Sequence, residues 1–215
     1  MRLKTFFIDL DDTLYSSNTG IWDRIRERMG LYMQERLYIP AQQVPELRRQ
    51  FYTAYGTTMR GLELVYGIDI EEYLIYVHDV PIEDCLSPDP ALREMLLSYP
   101  QRKLIFTNAD WRHAERVLAA LNLRDCFEEV IDIHRIAPAC KPQPEAFRLA
   151  LLEAGEPDPS ACLMADDSPQ NIQAAREAGF YTILVGSREP NPVADATLLT
   201  LKELPSVLPV SDRAR

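Results

Sequence analysis

Five short apolar runs constrain this chain more than any other feature: Leu3–Ile8, Lys103–Phe106, Glu129–Ile133, Cys162–Ala165 and Thr182–Val185. None alternates apolar with polar residues, as a strand with one wet face must. The last four are separated from one another by helical or loop stretches. Apolar strands spaced in this way predict a parallel sheet covered on both faces, a Rossmann-like three-layer α/β core. The helix ends are legible too. Asp110 is placed to cap a helix with an apolar stripe of Trp111, Ala114, Val117, Leu118 and Leu121. Pro144 and Ser168-Pro169 open two further helices, stopped by Gly155 and Gly179.

Residues 16–86 lack a strand pattern. Ile21, Ile25, Met29, Tyr32 and Met33 share one helical face that ends near Pro40. A second helix is predicted from Pro45 with Leu47, Phe51 and Tyr55, and a third with Leu62, Val65 and Tyr66. Asp69 with Glu72 resembles a capping box opening a fourth, with Ile70, Tyr73, Leu74 and Val77 on one side. The predicted organisation is therefore a core of residues 1–15 and 87–210, a small helical domain of residues 16–86, and a disordered tail, 211–215.

The charge balance limits the partners. With 33 acids against 23 bases the net charge is −10. Without a Lys/Arg run, such a surface repels both nucleic-acid polymers and anionic membranes. No apolar stretch approaches the ~18 residues of a membrane span, and the first residues lack a secretory apolar segment. Cys85, Cys126, Cys140 and Cys162 are scattered, which suits reduced thiols in a cytoplasmic protein.

The polar residues that follow the strands carry the chemistry. Asp9-Leu10-Asp11-Asp12-Thr13 follows the first strand, Thr107-Asn108-Ala109-Asp110 the second, Lys141-Pro142 the loop after the third, and Asp166-Asp167-Ser168 ends the fourth. Each alone fits a plainer role: an acidic turn, a helix cap, a solvated lysine. Together they fall at the carboxyl edge of one parallel sheet, where ligands gather. The carboxylates Asp9, Asp11, Asp166 and Asp167 would repel one another there, and a divalent cation resolves that repulsion. Oxygen ligands favour Mg²⁺. With Thr107 and Lys141 beside them, the set points to phosphoryl chemistry.

In order, Asp-x-Asp-x-Thr, Thr-Asn, Lys-Pro and Asp-Asp resemble the four motifs of the haloacid dehalogenase superfamily, and the helical insert resembles its C1-type cap. The segments Phe7–Tyr15, Phe106–Asp110 and Asp166–Ile172, with Tyr55-Gly56 and Arg60-Gly61-Leu62, resemble its pyrimidine 5′-nucleotidase branch. The resemblance implies that Asp9 is a nucleophile forming an aspartyl-phosphate. It implies that Asp11 protonates the leaving oxygen and later takes a proton from water. Thr107, Asn108 and Lys141 would hold the phosphoryl group. Mg²⁺ would be bound by Asp9, the backbone carbonyl of Asp11, Asp166, and Asp167 directly or through water. Asp11 favours phosphate esters over dehalogenation, since a halide leaves without a proton.

The expected substrate is a nucleoside 5′-monophosphate. A sugar-phosphate phosphatase or phosphomutase is the enzymatic alternative, and a receiver-like phosphate-binding or signalling protein the alternative of another class. Arg60 and Asn18 are the candidates for substrate specificity, with Tyr15 beside Asn18 in a flap over the site. His78, His113 and His134 read as surface or capping residues, Trp111 as packing, and Cys140 as having no catalytic role.

Overall fold

The structure is a computed structural model that describes residues 3–210; the tail expected to be disordered, 211–215, lies outside the described residues. The chain runs through β1 (Thr5–Ile8), α1 (Ile21–Glu35), α2 (Val44–Tyr55), α3 (Thr58–Tyr66), α4 (Ile70–Val77), α5 (Ile82–Cys85) and α6 (Pro90–Ser98). It continues through β2 (Arg102–Phe106), α7 (Trp111–Leu121), β3 (Glu129–Ile131), α8 (Pro144–Glu153), β4 (Cys162–Asp166), α9 (Pro169–Glu177), β5 (Tyr181–Val185) and β6 (Ala196–Leu198). The described residues form two compact units, one of residues 3–18 with 86–210 and the other Thr19–Cys85.

The first unit is a six-stranded parallel sheet in the order β3-β2-β1-β4-β5-β6. This doubly wound order places the chain reversal between β1 and β4, so a crevice opens beyond their carboxyl ends. All of β1 is buried, as are Leu104, Ile105 and Phe106 of β2. Ile8 is in register with Ile105 on one side and Ala165 on the other, so Asp9, Thr107 and Asp166 all emerge at one rim. Behind that rim lie four phenylalanines. Phe7 meets Phe106 at 6.2 Å and Phe180 at 5.5 Å, and Phe147 meets the same two at 5.5 and 6.0 Å, mostly edge to face.

Several expectations need correction. β3 stops at Ile131 rather than at residue 133, because the buried Asp132 carboxylate turns to accept from the Trp111 and Arg135 backbone N–H groups. A further helix, α6, carries no clear signal in the sequence: Asp89 accepts from Leu92 N, Pro90 occupies the first turn, and α6 buries Leu92, Met95 and Leu96. The edge strand β6 has only three residues and no apolar run to announce it. Trp111 is half exposed rather than packed. It is the first residue of α7, at the edge of a buried stripe formed by His113, Ala114, Val117, Leu118 and Leu121.

In the second unit α1 buries Ile21, Ile25, Tyr32 and Met33, and Tyr32 packs edge-on against Tyr73 of α4 at 5.0 Å. Asp69 caps α4 through Glu72 N, and Thr57 caps α3 through Arg60 N. α2 and α3 approach most closely at Gly61, where an added Cβ would lie 2.2 Å from Phe51 Cγ. Gly61→Ala is therefore expected to cost about 1–3 kcal/mol by overpacking, despite alanine's better helix propensity. A lowered urea midpoint at unchanged slope checks this; an unchanged or raised midpoint contradicts the packing.

Candidate active site

Asp9 is the first residue past β1 and is held there by its own N–H, which donates to Ala165 O at 2.9 Å. Three residues on, Asp12 takes a left-handed φ of 58°, which Asp tolerates better than most residues. The turn brings Thr13 Oγ1 to Asp9 Oδ2 at 3.4 Å and the Tyr15 hydroxyl to Asp11 Oδ1.

Lys141 sits at the centre. It is 1% exposed, and its Nζ donates to Asp9 Oδ1, Asp166 Oδ2 and Phe106 O, each at 2.7 Å. All three ammonium donors are used. The ring of Phe106 lies 5.0 Å from Nζ. Burial opposes the charge on Lys141, but Asp166 and Asp9 more than offset it, so its pKa rises above the usual lysine range. The backbone of Lys141 is fixed as firmly. Asn108 Oδ1 accepts from Lys141 N and Asn108 Nδ2 donates to Lys141 O, both at 2.9 Å. Asn108, read from the sequence as a phosphoryl ligand, here anchors the lysine with Oδ1 and one Nδ2 hydrogen.

Asp166, the last residue of β4, is fully buried. Its Oδ1 accepts from Ser168 N and Asn171 Nδ2, both at 2.9 Å; its Oδ2 accepts from Lys141 and, at 3.0 Å, from Asn171. Ser168 caps α9, leaving Asp167 for another role. Asn171 was overlooked in the sequence, although its place in the first turn of a helix opening beside Asp166 was a usable signal.

The three acids Asp9, Asp166 and Asp167 offer oxygens that all lie within 4.8 Å of one another. Burial lifts the Asp9 carboxyl well above the usual carboxylate range; Lys141 pulls it back, and Asp166 and Asp167 push it further up. Asp167 is raised to about 7 by burial and by the charges of Asp166 and Asp12. One ammonium against three carboxylates leaves two formal negative charges, the number a divalent cation neutralises. An all-oxygen donor set of this kind fits Mg²⁺.

At the same rim, Thr107 is buried and its Oγ1 accepts from Ala109 N at 3.0 Å, which keeps the hydroxyl hydrogen as a donor. α7 begins close by, capped by Asp110, with its positive end at the rim. Asp11 is not part of the metal-sized cluster. Its carboxylate is engaged by Tyr15 and by His113 Nε2, the latter at 2.7 Å. His113 is therefore no surface residue: its ring is fully buried. Its place on the buried stripe, at the rim end of α7, was the signal that could have found it. Asn18 is exposed in the turn Ser17–Thr19. Arg60, in the second unit, is buried in the first turn of α3, paired with Glu63, and its Nε has no hydrogen-bond partner among the described residues.

A doubly wound sheet with a buried lysine held between acids at its reversal point defines a class of hydrolase. A sequence model of the haloacid dehalogenase-like hydrolases matches residues 3–179, and the chain belongs to that family. Among known proteins it is similar to phosphate metabolism protein 8 of Saccharomyces cerevisiae, at 29% identity over 195 residues, 84% of this chain. The chain spans 61% of that relative's length. Similar solved structures include a HAD phosphatase from Thermococcus onnurineus, with TM-score 0.66 and 19% identity over 97% of this chain and 99% of that one. Another is a 2-haloacid dehalogenase from Pseudomonas syringae, with TM-score 0.59 and 23% identity over 96% of this chain and 98% of that one. The likeness is one of fold, and since both chemistries use it, the reaction has to be argued from side chains.

Proposed function

We propose that this hydrolase is a Mg²⁺-dependent phosphomonoesterase working through an aspartyl-phosphate on Asp9, with nucleoside 5′-monophosphates as its substrates. The observation that carries the reading is Lys141 Nζ lodged 2.7 Å from both Asp9 and Asp166. A carboxylate attacks a phosphate dianion only where cations cancel their repulsion. The name of the yeast relative agrees with phosphate chemistry, and the nucleotide preference follows the motif resemblance.

In the first half-reaction an Asp9 oxygen forms a bond to phosphorus as the ester P–O bond breaks, and the Asp11 carboxyl gives its proton to the departing oxygen. In the second, the Asp11 carboxylate takes a proton from water as the water oxygen attacks phosphorus, the Asp9–phosphorus bond breaks, and inorganic phosphate leaves. Both residues return to their starting states. Thr107 Oγ1–H and the Asn108 amide orient the phosphoryl oxygens, and the charge of Lys141, whose three hydrogens go to Asp9, Asp166 and Phe106 O, attracts them. Asn108 also fixes the backbone of Lys141. When held by Asp9, Asp166, Asp167 and the carbonyl of Asp11, Mg²⁺ supplies charge neutralisation between the attacking carboxylate and the phosphoryl oxygens. Arg60 and Asn18 contribute to substrate choice. Dehalogenation is disfavoured because it has no use for the acid at Asp11.

The test is a panel of nucleoside monophosphates, sugar phosphates and p-nitrophenyl phosphate, assayed with Mg²⁺ and with EDTA. Phosphate release with Mg²⁺ and its loss with EDTA are expected. Mg²⁺ at about 100 times its dissociation constant should also stabilise the fold by about 2.7 kcal/mol, raising Tm by roughly 5–10 °C. Absence of Mg²⁺-dependent turnover across the panel overturns the proposal. Turnover confined to sugar phosphates overturns the nucleotide assignment alone.

A further inference from the structure

The hydrogen bonds around Asp11 go beyond what the phosphatase reading requires. Two side chains distant in sequence converge on one atom, Asp11 Oδ1: the Tyr15 hydroxyl, four residues on, and His113 Nε2, 102 residues on and 2.7 Å away. Both are buried, Tyr15 at 7% exposure and His113 at 1%. Neither belongs to the cluster of Asp9, Asp166 and Asp167. The histidine is itself held firmly. Asp110 Oδ1 accepts from the N–H groups of Arg112 at 2.8 Å and of His113 at 3.1 Å, and Asp132 Oδ2 accepts from Trp111 N at 3.1 Å, so the first turn of α7 cannot shift without breaking these bonds.

We propose that His113 and Tyr15 are positioning residues that fix the Asp11 carboxyl group, with Oδ1 as the permanent acceptor and Oδ2 as the oxygen that gives and takes the catalytic proton. This rests on the reading of Asp11 as the acid and base of a phosphomonoesterase. A carboxylic acid accepting two hydrogen bonds on one oxygen carries its proton on the other. We assign the imidazole hydrogen to Nε2, so that His113 and the Tyr15 hydroxyl both donate to Oδ1 and the carboxyl proton lies on Oδ2, and the plane of the group is set by two anchors at separate places in the sequence. The cycle leaves both anchors unchanged. Oδ2–H passes its proton to the leaving oxygen, and Oδ2 regains a proton from the attacking water, while Oδ1 keeps both donors. General acid catalysis depends on such placement, because a misdirected proton contributes little to the transition state.

The same role makes rate depend on the leaving group. An alkyl alkoxide is a poor leaving group and needs the proton as the P–O bond breaks, whereas p-nitrophenolate leaves with little help. A residue that merely supported the fold would slow both reactions alike.

The experiment compares the first-turnover rate of leaving-group release, which precedes hydrolysis of the aspartyl-phosphate, for p-nitrophenyl phosphate and an alkyl phosphate of the accepted class in wild type, Tyr15→Phe, His113→Gln, His113→Leu and Asp11→Asn, all with saturating Mg²⁺. Circular dichroism and thermal melting confirm that each is folded. Tyr15→Phe removes only the hydroxyl, so it stays informative if a His113 variant fails to fold. The expected result is a loss of this first-turnover rate at least tenfold larger for the alkyl ester than for the aryl ester in Tyr15→Phe and His113→Leu. His113→Gln, which keeps an N–H donor, should recover part of it. KM should change little, because neither side chain is assigned a contact with the phosphate. Asp11→Asn should show the same selective loss, on the order of 10²- to 10⁴-fold for the alkyl ester. Equal losses on both esters in folded Tyr15→Phe or His113→Leu, beside a selective loss in Asp11→Asn, overturn the positioning role and leave the phosphatase reading standing. Equal losses in Asp11→Asn as well overturn the reading of Asp11 itself.

Discussion

Asp9→Asn is expected to lose turnover by about 10⁴-fold or more while keeping its fold and its stability. The amide has nearly the shape of the carboxylate and can still accept from Lys141, but it cannot form an acyl phosphate; removing a covalent nucleophile ordinarily costs rates of this order. The stability half of the expectation follows from sign. Burial and two neighbouring acids push the Asp9 carboxyl upward, so keeping it ionised at neutral pH costs folding free energy. A neutral amide removes that cost. Thermal melting without added Mg²⁺ should therefore place the variant at or above the wild-type Tm. A marked drop in Tm would assign Asp9 a structural role that the reading excludes.

Lys141→Met is expected to do the opposite and lose both activity and stability. Methionine approximates the stem but leaves the buried carboxylates of Asp9 and Asp166 facing each other without the ammonium between them. Breaking a buried ion pair on one side costs about 3–5 kcal/mol, equivalent in a chain of this length to a Tm lower by roughly 6–20 °C. Arginine should not rescue, because its planar fork cannot place three donors around the point where Nζ now sits. Adding Asp9→Asn to Lys141→Met should restore part of the lost stability, since one of the two stranded charges is then gone. A double variant whose stability change, measured by urea denaturation, equals the sum of the two single changes would show that the lysine and the acid are not coupled.

The sheet was legible because burial on both faces forces continuous apolar strands, and Leu3–Ile8, Lys103–Phe106 and Cys162–Ala165 are such runs. The rim was legible because Asp9, Thr107 and Asp166 each follow or end such a strand. What escaped was what depends on contacts between distant elements. β6 is too short to carry a pattern, and α6 hid behind prolines that open a helix as readily as they mark a linker. Nothing local separates His113 from a core histidine, and only the meeting of α7 with the turn after β1 shows that its ring reaches Asp11. The two hydrogen bonds by which Asn108 fixes the Lys141 backbone join residues far apart in sequence, so Thr-Asn after a strand does not announce them. Trp111 reads as part of an apolar stripe, yet as the first residue of its helix it lies at the edge of that stripe and stays half exposed.

The account's central claim is that Asp9 becomes phosphorylated during turnover. The most direct measurement quenches the Mg²⁺-loaded enzyme in acid during the first turnover of ³²P-labelled p-nitrophenyl phosphate, then maps the protein-bound label by proteolysis. The account predicts an acid-stable, hydroxylamine-labile label on the peptide containing Asp9, lost in Asp9→Asn together with phosphate release. Label on another residue, or undiminished phosphate release by Asp9→Asn, would contradict it.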